Sequence, residues 1–185
     1  MKNRNWMRYT FAALFVMLAA TACDSISESE LTGPSRDPNA DVITYLLNGV
    51  QVVQETDATV GTVTGTFGAE GGILMLGQHK LTIPAGAVDR DVVFKMNKAS
   101  SALKFDLTAT SKNSLLQNNV GAAGFDVPVK LSISYDGANV GDPTVFEVAW
   151  LKLLGNEVQP STIDEGSHAI VGELDHFSDY ALIWP

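Results

Sequence analysis

Residues 71–88 read GGILMLGQHKLTIPAGAV, two short apolar runs around a Gly-Gln pair, closed by a proline-glycine corner. A glycine in the first position of a two-residue loop suits a type II′ hairpin, so Ile73–Leu76 and His79–Ile83 are expected to pair as antiparallel strands. Alternation then puts His79, Leu81 and Ile83 on one face and Lys80 and Thr82 on the other. Ile83 precedes Pro84, which keeps it extended and ends the strand there. Pro84 in the second and Gly86 in the fourth position of Ile83-Pro84-Ala85-Gly86 predict a type I turn.

Outward from this hairpin the chain keeps the same period of two. Thr62–Phe67 is rich in β-branched residues. Val92, Phe94 and Met96 alternate with Val93, Lys95 and Asn97, and Phe105, Leu107 and Ala109 form a further set. In Val127–Tyr135 the odd-numbered residues Val127, Val129, Leu131, Ile133 and Tyr135 are apolar, whereas Lys130, Ser132 and Ser134 are polar, so one face is buried and one is wet. Pro128 cannot donate to a ladder, so the start of that strand is expected at a sheet edge or just outside the pairing. Phe146–Leu154 is expected to turn back through Gly155-Asn156, Ala169–Leu174 is a short strand, and Tyr180, Leu182 and Trp184 alternate to the end. About nine short strands and no long helix predict an all-β fold, an antiparallel β-sandwich.

The N-terminal part has another character. Met1–Arg8 is basic, Phe11–Ala20 is unbroken apolar sequence, and small residues lead to Cys23; this is the layout of a secretory signal peptide over residues 1–22. As a helix those ten apolar residues would reach about 15 Å, half of a bilayer's roughly 30 Å of hydrocarbon. Ala20-Thr21-Ala22-Cys23 resembles the bacterial lipobox, whose cysteine is acylated and becomes the new N-terminus. Ala20 stands where Leu, Val or Ile is usual, and the other reading is plain cleavage after Ala22 leaving a free thiol. Asp24 resembles a signal some bacteria use for inner-membrane retention; which membrane is meant stays open. Residues 24–41, carrying Asp24, Glu28, Glu30, Asp37 and Asp41 with three serines before Gly33 and two prolines, read as a solvated tether whose 18 residues could span on the order of 60 Å. Residues 42–54, VITYLLNGVQVVQ, offer Asn-Gly between apolar runs, a hairpin signal, although Ile43, Leu46, Leu47, Val50 and Val53 also fall at helical spacing. The hairpin is favoured, inside a lipid-anchored linker of residues 23–58 that precedes a domain over 59–185.

Composition bounds the partners. The chain has 185 residues, 45% of them hydrophobic, enough for one core. The first 22 residues hold three of its 12 basic residues and none of its 21 acidic ones, so a chain cut before Cys23 carries a formal charge of −12. No basic cluster remains to track phosphates, which argues against nucleic acid. A single cysteine excludes an intramolecular disulfide and a cysteine zinc site.

GGILML, LTIPAGAV, GFDVPVKLSISY and the closing HFSDYAL together resemble the ZU5 domain, a β-sandwich known from ankyrins, netrin receptors, death-domain adaptors and exported bacterial proteins. The resemblance covers about residues 61–185; Gly71, Gly72, Pro84 and Gly86 carry its motif, along with His176-Phe177-Ser178. It implies protein interaction and scaffolding, with no shared enzyme activity and no cofactor. In some ZU5-containing death-domain proteins, and in a self-cleaving nucleoporin, a His-Phe-Ser triplet is cut between Phe and Ser. The resemblance would make Ser178 the nucleophile on the Phe177 carbonyl and His176 its base, a role suited to a group titrating near neutrality. Such a cut needs a strained peptide and an oxyanion donor. The other reading has His176 and Ser178 satisfying backbone groups at a turn while Phe177 fills the core.

The remaining candidates are ordinary. His79 and His168 stand alone at strand-like positions. Asp89 and Asp91 around Arg90, and Asp175 and Asp179 beside His176, lack calcium or zinc spacing, so no metal is expected. Glu70-Gly71-Gly72 has no following helix start or lysine and is a turn, not a phosphate cradle. Trp150 and Trp184 would serve a carbohydrate only if exposed and coplanar. The sequence therefore points to an exported, cell-envelope lipoprotein, held on a membrane through Cys23 and presenting a ZU5-like sandwich to a protein partner. Self-cleavage at Phe177–Ser178 is the alternative.

Overall fold

A computed structural model describes residues 44–47, 50–56, 58–112, 119–138 and 140–184; Cys23, the leader and the acidic tether lie outside them. The described residues form thirteen strands: β1 (Thr44–Leu47), β2 (Val50–Val53), β3 (Gly61–Phe67), β4 (Gly72–Leu76), β5 (His79–Ile83), β6 (Val92–Lys98), β7 (Lys104–Ser111), β8 (Val129–Ser134), β9 (Glu147–Lys152), β10 (Gly155–Val158), β11 (Ser161–Asp164), β12 (Ala169–Leu174) and β13 (Asp179–Trp184). The one α-helix among them, α1 (Val120–Ala123), is a single turn capped by the Asn119 side chain.

Two antiparallel sheets face each other. The larger has the order β1-β2-β13-β7-β6-β3, with β9 also on β13 and β10 on β9; the smaller has the order β11-β12-β8-β5-β4. This is an all-β sandwich, with more and shorter strands than the nine read from sequence. Residues alternating inward close the layers: Leu74, Leu81, Ile83, Leu131, Ile133 and Leu174 from the smaller sheet meet Phe94, Met96, Phe105, Leu107 and Tyr180 from the larger. Each fully buried Leu, Ile or Phe contributes about 1.5–3 kcal/mol.

The central hairpin forms as the sequence dictates. Leu76 pairs with His79, Gly77 has φ +60 while Gln78 has no positive φ, which is the type II′ pattern. His79, Leu81 and Ile83 are buried and Lys80 and Thr82 are not. The following corner differs. Ala87 N–H donates to the Pro84 carbonyl at 3.2 Å, so the turn runs over residues 84–87, one residue later than expected. Gly86 is then its third residue with φ +82, the geometry of type II, which requires glycine there.

Two further boundaries shift. Residues 44–53 do form a hairpin, Leu47 opposite Val50, but β2 also pairs with β13 and Val52 and Val53 are fully buried. The sandwich therefore begins before residue 59, and the hairpin is part of its larger sheet. Val52 joins Ala102, Ala149, Leu151, Ala181 and Ile183 in a second small cluster, which is why β13 is buried on both faces rather than alternating. The turn assigned to Gly155-Asn156 instead lies at Leu153-Leu154, since Gly155 already pairs with Lys152.

Candidate functional site

The His176-Phe177-Ser178 corner joins β12 to β13. Phe177 is 4% exposed and meets Phe125 edge-on at 4.7 Å and Phe94 at 5.8 Å. Its N–H donates to the Gly121 carbonyl at 2.8 Å, and the Ser178 carbonyl accepts from Leu107 N–H at 3.0 Å. The His176 ring stands edge-on to Trp150 at 4.1 Å with Nε2 3.4 Å from the Tyr180 hydroxyl. That hydroxyl donates to the His176 carbonyl at 2.9 Å, and burial, with Asp175 and Glu157 nearby, pushes the phenol well above its ordinary range. It stays a neutral donor. No hydrogen bond joins the His176 and Ser178 side chains, and none of the three residues has a positive φ. The corner brings the triplet together in sequence but turns His176 toward Trp150 and Tyr180.

A second cluster was not legible as a site. Glu55, just past β2, accepts from Lys98 Nζ at 2.8 Å and from His79 Nε2 at 2.8 Å. Lys98 is wholly buried, His79 is 1% exposed, and Lys98 also donates to the Ser100 carbonyl at 2.9 Å. The His79 ring lies edge-on to Phe105 at 4.9 Å, and its Nδ1 is buried without a partner. Burial pushes the Glu55 carboxyl up, but the hydrogen bonds and charges of His79 and Lys98 outweigh this and hold it below its ordinary value. Because His79 opens β5 of the smaller sheet and Lys98 ends β6 of the larger, Glu55 clasps the two sheets together. Only one part of it could have been read from the sequence: the buried series Val92, Phe94, Met96 reaches Lys98 two residues on, and a lysine on a buried face requires an acid, though not which one.

At the far end of the smaller sheet, His168 is the one non-glycine described residue with positive φ, at 45°. Its Nδ1 lies 2.6 Å from Asp136 Oδ1 and its ring stacks on Tyr135 at 6.0 Å. Tyr135, Asp136, Val140, Pro143 and His168 line a shallow cleft of about 330 Å3.

The remaining sequence candidates are accounted for by structure. Gly71, φ +73, lies where a Cβ would come within 2.2 Å of the Ile83 carbonyl, and a Cβ on Gly72 would sit 2.1 Å from the Phe67 ring. Gly86 N–H donates to the Ala69 carbonyl at 2.8 Å, so with Pro84 these motif residues hold the corner. Arg90 pairs with Asp89, Asp91 lies 3.5 Å from Lys112 and Asp179 pairs with Lys104. Trp150 packs on His176 and Trp184 on Phe146, each with its own neighbours. Among the described residues, no group of His, Cys, Asp or Glu could hold a metal, and no helix is long and apolar enough to cross a membrane. Compared with known proteins, the chain matches no family model and no curated protein.

Proposed function

We propose that this chain is a lipid-anchored cell-envelope protein that presents a ZU5-like sandwich to a protein partner and performs no turnover chemistry. The observation that carries this reading is the outer edge of the smaller sheet. Strand β4 ends that sheet and turns Ile73 and Met75 outward, 56% and 51% exposed. Across the same face Ile73 stands beside Thr82 and Met75 beside Lys80, followed by the exposed Lys130 on β8 opposite Thr82. An unpaired edge offers main-chain donors and acceptors to an added strand, and apolar side chains flanked by two lysines and a threonine give the mixed surface of a reversible interface. The sequence supports the envelope location through the leader and Cys23.

A photocrosslinking residue placed at Thr82 in cells tests the docking surface. A discrete adduct that disappears when Ile73→Asp and Met75→Asp are added supports the reading. An adduct pattern indifferent to those changes, or none, overturns it.

A further inference from the structure

We propose that the tip of the β9–β10 hairpin is a membrane-inserting element, a second contact with lipid that needs no acyl group on Cys23. Leu153 and Leu154 form the two-residue tip and are 92% and 94% exposed. Lys152 pairs with Gly155 immediately behind them, and Gly155, φ +95, supplies the left-handed residue the turn needs. Its surroundings are open, with no atom within 4 Å of an added Cβ.

Turn chemistry argues that these leucines are not there for the fold. The left-handed position falls to Gly155 and neither leucine has a positive φ, so the backbone accepts most residues there and nothing in it calls for leucine, while Asn, Asp or Ser could bond to it. Nor does packing recompense the choice, since both side chains point into solvent. Two large apolar side chains held in water with no structural gain mark a functional position.

The shape selects the occupant. Two adjacent leucines expose a few hundred Å2, far short of the roughly 1,200–2,000 Å2 that a stable protein interface buries. They also form a convex point rather than a groove. A bilayer meets both conditions, because lipid closes around a small projecting apolar tip. Behind the tip, Lys152 Nζ lies 4.0 Å over the Trp150 ring and Trp150 meets His176. An indole with a long-stemmed cation suits the headgroup level. Lys152 is paired with Glu157, and Asp175 lies close enough to Tyr180 to act on it, so the collar is not basic and the surface it fits is a neutral one.

The test uses the full chain with Cys23→Ser, which removes the acylation site and the only native thiol, and Leu154→Cys labelled with an environment-sensitive dye. On neutral phosphatidylcholine vesicles the dye should shift to the blue and be quenched by quenchers on the acyl chains. A dye at Gly166→Cys, in the β11–β12 turn, should stay in water. In the unlabelled Cys23→Ser chain, Leu153→Ser with Leu154→Ser should weaken vesicle partition by at least about tenfold while leaving the thermal melt unchanged. Partition contributions add, so the apolar leader of the uncut chain raises the baseline without hiding this difference. A dye at 154 that stays in water on vesicle-bound protein, or a partition unmoved by the serine pair, overturns the proposal. A concentration-dependent dimer abolished by the serine pair would overturn it in favour of self-association.

Discussion

Replacing Glu55 by Gln tests the clasp between the sheets. Lys98 is wholly buried and has two acceptors, Glu55 Oε2 at 2.8 Å and the Ser100 carbonyl at 2.9 Å. Removing the carboxylate charge leaves an ammonium in the interior with only neutral partners. Breaking a buried ion pair from one side costs about 3–5 kcal/mol; the amide oxygen that Gln retains puts the expectation for Glu55→Gln at about 3 kcal/mol. Lys98→Met should cost less, about 1–2 kcal/mol, because Glu55 keeps His79 at 2.8 Å and methionine fills much of the lysine volume. Urea unfolding followed by tryptophan fluorescence of both single variants and the double variant closes the cycle. The double should be more stable than the sum of the singles by at least about 1 kcal/mol. Additivity within about 0.5 kcal/mol, or a Glu55→Gln variant as stable as the parent, would show that the clasp does not hold the sheets.

The same carboxyl gives a pH dependence. Its folded value lies below the ordinary 4.5, so its contribution is present above that pH and is lost as pH falls through the folded value. Urea titrations from pH 6 to pH 3 should show the parent losing more stability below about 4.5 than Glu55→Gln does, and equal losses would contradict the assignment. Gly71→Ala forces a Cβ to within 2.2 Å of the Ile83 carbonyl at φ +73 and should cost about 3 kcal/mol or more. Gly86→Ala, also at positive φ but with nothing nearer than Val127 at 3.8 Å, should cost only about 1 kcal/mol; equal denaturation midpoints for the pair would refute the steric account.

The parts legible in the sequence are those governed by local rules. The type II′ loop at Gly77, the end of β5 at Ile83 and the inward series Phe94–Met96 and Leu131–Ile133 follow from turn chemistry and a period of two. Failures came where distant chain decides. Nothing near Val52 and Val53 says that they pair with the last strand, so the hairpin at 44–53 read as part of a linker. Gly155-Asn156 had better turn chemistry than Leu153-Leu154, and the register against β9 overrode it. Glu55, His79 and Lys98 are separated in sequence and meet only when the sheets close, so His79 read as an isolated histidine. For the His176-Phe177-Ser178 corner, the pattern named the residues but not that His176 would turn toward Trp150.

The central claim is that a sandwich with an uncut C-terminal corner is held at a membrane by its N-terminal cysteine. The intact mass of the protein extracted from the membranes of its own cells reads both ends at once. The account predicts one species that begins at an acylated Cys23 and runs through Pro185. A chain beginning at an unmodified Cys23, or one lacking residues 178–185, would contradict it.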